Sequence, residues 1–118
     1  MYVYTGERFY EIEIQNIKVR AYFNDASALH EYTKILEQID VTSDILESCQ
    51  LVKNAICVIT YNPDAASKIF EGFENDIKMH AGVLKYINDE YIRLQSEIVR
   101  AAKEIEPATI NEQTSETK

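Results

Sequence analysis

The sequence predicts an α+β fold: an N-terminal β-hairpin packed on a helical body of three to four helices, the last of them long and amphipathic. Three observations predict it. Residues 9–23 alternate apolar and polar side chains with period two, and residues 26–60 carry apolar side chains at helical spacing. Residues 77–105 then repeat apolar side chains every seven positions. A chain of 118 residues has room for one domain, and 46% hydrophobic residues supply a modest core. We expect residues 1–105 to form that single domain and the polar stretch 106–118 to be a disordered tail.

The hairpin is the clearest local signal. In FYEIEIQNIKVRAYF, Tyr10, Ile12 and Ile14 alternate with Glu11 and Glu13. After Gln15-Asn16 the alternation resumes with Ile17, Val19, Ala21 and Phe23 against Lys18 and Arg20. Placing the loop at Gln15-Asn16 pairs Ile14 with Ile17, Ile12 with Val19, Glu13 with Lys18 and Glu11 with Arg20. One face is then apolar and the other sets opposite charges across from each other, each pair worth roughly 0.2–1 kcal/mol. A type I′ turn would force Gln15 into an unusual backbone region.

The helices follow in order. Asn24-Asp25 stops the strand and offers an N-cap, and Leu29, Tyr32, Leu36 and Ile39 mark a helix over 26–39. Asp44 with Glu47 three residues later resembles a capping box and opens a helix over 44–60. Its apolar arc is wide: Ile45, Cys49, Val52, Ile56 and Ile59, flanked by Leu46, Ala55 and Val58. That width predicts a central, mostly buried helix. Asn62-Pro63 then reads as cap and first helical residue of a short helix over 63–71, carrying Ile69, Phe70 and Phe73 and stopping at Gly72. The last helix, 76–105, sets Ile77, Leu84, Tyr91, Ile98 and Ile105 seven apart, with His80, Ile87, Leu94 and Ala101 between them. Glu90, Glu97 and Glu104 flank the seam. A helix of that length spans about 43 Å, more than a small domain needs. Its seam either packs along the domain or projects, and projecting heptads would make a homodimer or an adaptor.

Composition excludes several classes of function. Lys and Arg number 12 against 20 Asp and Glu, a formal charge of -8, which argues against nucleic-acid binding through phosphates. No stretch approaches the roughly 20 apolar residues that cross a bilayer. The first residues, MYVYTGERFYEI, lack the basic and apolar regions of a signal peptide. Cys49 and Cys57, about 12 Å apart along one helix, are beyond disulfide reach. Two unpaired cysteines point to a reducing compartment, the cytoplasm.

Catalytic constellations are thin. His30 is expected on the solvent side of its helix and His80 in the seam, as a partly buried histidine with a local partner. Cys49 or Cys57 as a nucleophile would need a base within reach, and Cys57 sits among Ile56, Val58 and Ile59, which favours the neutral thiol. Glu11 and Glu13 face Lys18 and Arg20, while Asp89 and Glu90 diverge on a helix, so neither pair suits acid–base or metal chemistry. We expect no enzyme, no cofactor and no metal site. Contact is the remaining route to function, through a hairpin edge or the long helix.

The order of parts is similar to a known family. ERFYEIEIQNIKVRAYF, NDASALHEYTKIL, ESCQLVKNAICVI, YNPDAASKIFEG and ENDIKMHAGVLKYINDEYIRLQ follow one another over roughly residues 7–96. This resembles the small tail assembly chaperones of long-tailed phages and prophages of low-GC Gram-positive bacteria. Lys68-Ile69-Phe70-Glu71-Gly72 matches the family's step before its final helix. The resemblance implies a non-enzymatic protein that binds and solubilises the tape measure protein, and helps recruit tail-tube subunits, in the bacterial cytoplasm. Candidate contact residues are Ile87, Tyr91, Leu94 and Ile98 on the long helix, with Tyr2 and Tyr4 as N-terminal anchors, although Ile87 and Leu94 suit a buried core better than a contact surface. The alternative is a small cytoplasmic adaptor or inhibitor that dimerises through residues 77–105.

Overall fold

A computed structural model describes residues 1–105, with side chains through Lys103. The tail expected over 106–118 lies outside the described residues. The fold is α+β: a two-stranded antiparallel hairpin followed by four helices. The elements are β1 (Tyr10–Ile14), β2 (Ile17–Ala21), α1 (Ala26–Val41), α2 (Ile45–Thr60), α3 (Ala65–Ile69) and α4 (Ile77–Ile105). The described residues divide into two compact units, one over Met1–Tyr86 and one from Ile87 on, with the boundary inside α4.

In the first unit, the hairpin has the register that alternation predicts. Glu11 faces Arg20, Ile12 faces Val19, Glu13 faces Lys18 and Ile14 faces Ile17. Gln15 and Asn16 have φ of 53° and 63°, the paired left-handed conformations of a type I′ turn. Gln15 thus occupies backbone space that disfavours a side chain with a Cβ. Ile12, Ile14, Val19 and Ala21 are buried, while the charged residues between them face solvent. Arg20 lays its guanidinium over the Phe9 ring, 4.5 Å from the centroid.

Asp25 caps α1, its Oδ1 accepting from the Ser27 N–H at 2.9 Å. Asn24 is not the cap; its Nδ2 donates to the Glu7 carbonyl at 2.8 Å and ties the N-terminal segment down. α1 runs two residues beyond the expected end, to Val41, and closes with the Thr42 N–H on the Gln38 carbonyl. Asp44 caps α2, Oδ1 accepting from Leu46 and Glu47 at 3.0 and 3.4 Å. The return arm of the capping box runs through a relay: Thr42 Oγ1 donates to Glu47 Oε1 at 2.8 Å and accepts from the Asp44 N–H at 3.3 Å.

α2 is the central helix and packs against α1, α3 and β2. Cys49, Val52, Ala55, Ile56 and Ile59 are buried, each large apolar side chain contributing on the order of 1.5–3 kcal/mol. Its first turn departs from the wide apolar arc, since Ile45 and Leu46 are exposed. Tyr61 ends α2 in the left-handed region, φ 51°, a position that glycine fills with less strain.

The α3 start is a correction. Pro63 is not the first helical residue: Asn62 Oδ1 accepts from the Asp64 N–H at 2.9 Å, closing a turn around Pro63, and the helix begins at Ala65. Asn capped a turn more readily than a helix here because its side chain reaches the residue two positions on. α3 is accordingly short. Ile69 and Phe70 are buried, but Phe73 is exposed, because the chain turns through Gly72 at φ 83° before reaching it. At the start of α4, Asp76 Oδ1 accepts from the Met79 N–H at 3.0 Å.

The second unit, from Ile87 on, is described by the C-terminal part of α4. Arg93 bridges Glu90 at 2.7 Å and Glu97 at 2.9 Å, three residues back and four ahead, so the flanking acids of the seam clamp a cation on their own helix.

Candidate protein-binding surfaces

The six contact residues expected from the sequence fall into three environments. Ile87 and Leu94 are buried, at 0% and 5% exposure, so neither offers its side chain to a partner in this state. Tyr91 is half-buried. Ile98 is exposed on the same face, one heptad beyond Tyr91. Tyr2 and Tyr4 are exposed, as anchors would need to be. Ile98, Tyr2 and Tyr4 are thus accessible to a partner, whereas Ile87 and Leu94 are buried, as their apolar seam positions favour.

A second apolar face on α4 was missed. Ile92 and Val99 are exposed, seven residues apart, and line a shallow cavity of about 470 Å³ with Gln95, Ser96, Arg100 and Lys103. Successive residues turn about 100° on a helix, which sets this stripe roughly 120° away from the Ile98 face. In the sequence this stripe is only one apolar pair at heptad spacing, beside the longer and more regular seam.

A second grouping belongs to the first unit. Tyr4, Glu7, Arg8, Tyr22, Asn24, Asp25 and Tyr61 line a cavity of about 730 Å³. Tyr22 and Tyr61 meet edge to face, with centroids 4.9 Å apart and planes at 81°. Phe9 extends the cluster, its centroid 5.8 Å from that of Tyr22. The Tyr61 hydroxyl donates to Asp25 Oδ2 at 2.7 Å. That bond, and then the Ser27 N–H, hold the Asp25 carboxyl below its ordinary range, while the same bond pushes the Tyr61 hydroxyl up. Tyr61 and Asp25 are 36 positions apart, and no local pattern joins them.

The candidate chemical groups sort plainly. His30 is exposed. His80 is fully buried and stacked on Phe70, ring centroids 3.8 Å apart and planes at 2°. Its Nδ1 lies 2.7 Å from the Asp76 carbonyl, which can only accept, so Nδ1 carries the proton. Nε2 is buried without a hydrogen-bond partner among the described residues. His80 thus has the local partner expected of it, but it is fully rather than partly buried. Cys49 is buried, and the Cys57 thiol donates to the Pro63 carbonyl at 3.4 Å. Among the described residues, no cluster of three or more His, Cys, Asp or Glu could hold a metal ion. No described helix is long and apolar enough to cross a membrane.

Comparison with known proteins returns no match: no family model, curated sequence or solved structure aligns with this chain.

Proposed function

We propose that the chain is a non-enzymatic tail assembly chaperone of a long-tailed phage or prophage, acting in the bacterial cytoplasm. It would bind the tape measure protein and keep that long helical partner soluble during tail morphogenesis, with the tail-tube protein as a second partner. The observation that carries the reading is the exposed apolar set on the C-terminal part of α4, Ile92, Ile98 and Val99, on a helix otherwise rich in charge. An amphipathic helix with apolar side chains left in water suits docking against another helix. The hairpin-then-helices order of the resembling family supports the same assignment.

A second reading is a cytoplasmic adaptor or inhibitor that dimerises through α4, favoured by Ile98 standing exposed in heptad register with Tyr91. One experiment separates the two. The tape measure protein encoded in the same genome is co-expressed with this chain and its soluble fraction measured. Chaperoning predicts a soluble complex that Ile92→Asp/Val99→Asp or Ile98→Asp disrupts while the chain keeps its circular dichroism. An insoluble partner, together with a dimer of this chain that Ile98→Asp dissociates, favours the adaptor.

A further inference from the structure

The aromatic cavity of the first unit has the makings of a cation receptor, and this rests on that unit alone, independent of the tail-assembly reading. Three tyrosines wall it. Tyr22 and Tyr61 stand nearly perpendicular at 4.9 Å, and Tyr4 closes a third side, its hydroxyl 3.5 Å from Asn24 Nδ2. The Tyr4 phenol ring lies over Gly6, in the space that a Cβ there would take, with the side chain still largely exposed. Tyr61 reaches the cavity from a left-handed backbone, φ 51°, that glycine would adopt with less strain. Strain of this kind persists where the side chain it delivers is held by its surroundings.

The charge in the cavity is negative and fixed. Asp25 Oδ1 accepts from Ser27 and Oδ2 from Tyr61, at 2.9 and 2.7 Å. The Ala28 N–H bonds the same carboxylate, and since a carboxylate has about four acceptor positions, one is left for a ligand. An anion is disfavoured, because the Asp25 carboxylate already occupies the N-terminus of α1 and Glu7 adds a second negative charge to the lining. Arg8 lines the same cavity and acts on Asp25 only through its charge. Next to the cavity, Arg20 already stacks on Phe9 at 4.5 Å, the contact a guanidinium ligand would reproduce.

We propose that the cavity bounded by Tyr4, Tyr22, Tyr61 and the Asp25 carboxylate binds an organic cation, the guanidinium of an arginine side chain on a partner protein. A planar guanidinium stacks on a tyrosine face while one of its N–H groups reaches the remaining acceptor position of the carboxylate. An ammonium, as a point charge, satisfies only part of that geometry. Arg8 competes for the same carboxylate.

The test is an NMR titration of the full chain with Nα-acetyl-arginine amide, following the Tyr22 and Tyr61 rings and the Ser27 amide. The neutral isostere Nα-acetyl-citrulline amide and Nα-acetyl-lysine amide run alongside. Saturable shifts with the arginine compound, at least about tenfold weaker with citrulline and weaker with lysine, are expected. Asp25→Asn, which keeps a capping side chain, and Tyr61→Leu should each abolish saturation, and Arg8→Ala should tighten binding. If Tyr61→Leu does not fold, Asp25→Asn carries the comparison. Equal shifts with citrulline, no saturation with arginine, or unchanged binding in Asp25→Asn would overturn the proposal.

Discussion

Gln15 sits at φ 53° in a turn whose other central residue, Asn16, tolerates that conformation far better. Gln15→Asn with Asn16→Gly should therefore stabilise the chain by about 1 kcal/mol, read as a higher urea midpoint at unchanged m value. The Asp25–Tyr61 bond makes a pH-dependent contribution of known sign. Asp25 is held below its ordinary value of 3.8, so its stabilisation is present above that value and lost as pH falls below it. Tyr61 is raised above its ordinary 10.0, so its contribution is present below that value and lost as pH rises through the raised one. Asp25→Asn should flatten the acid limb of stability below about pH 4, measured by thermal melts across pH. An acid limb identical to that of the parent would show that the carboxylate is held by nothing specific.

The elements differ in how much of them the sequence makes legible. Alternation and facing charges specified the β1–β2 register, because a slip by one residue would bury Glu11 and Glu13 and expose Ile12 and Ile14. The caps at Asp25 and Asp44 were legible because each signal lies within a few residues. Replacing Asp44 with Ala removes acceptors from two N–H groups of α2 and should cost about 1 kcal/mol, measured by chemical denaturation. Where competing local bonds or distant packing decided, sequence alone fell short. Asn62 closed an Asx turn and delayed α3 to Ala65, and Phe73 was carried into solvent by the turn at Gly72. The candidate site was legible in part: Ile98, Tyr2 and Tyr4 are exposed and Ile87 and Leu94 buried, while the exposure of the Ile92–Val99 stripe depends on how α4 is folded. Tyr61 with Asp25 had no sequence signal, since tertiary folding alone joins residues 36 apart.

Taken as a whole, the chain combines a net charge of -8 with several large apolar side chains left exposed. High like charge keeps free chains apart, which suits a protein that shields another's apolar surface without aggregating itself. The two units divide the work under this account. The first, Met1–Tyr86, holds a hairpin, a central helix and the aromatic cavity, and the second presents the exposed stripe of α4. The most direct measurement is amide hydrogen exchange on this chain, free and mixed with the proposed partner, a phage tape measure protein. The account predicts slowed exchange across residues 88–103 on complex formation, removed by Ile92→Asp/Val99→Asp. Unchanged exchange along α4 in a complex that forms, or the absence of any complex, would contradict it.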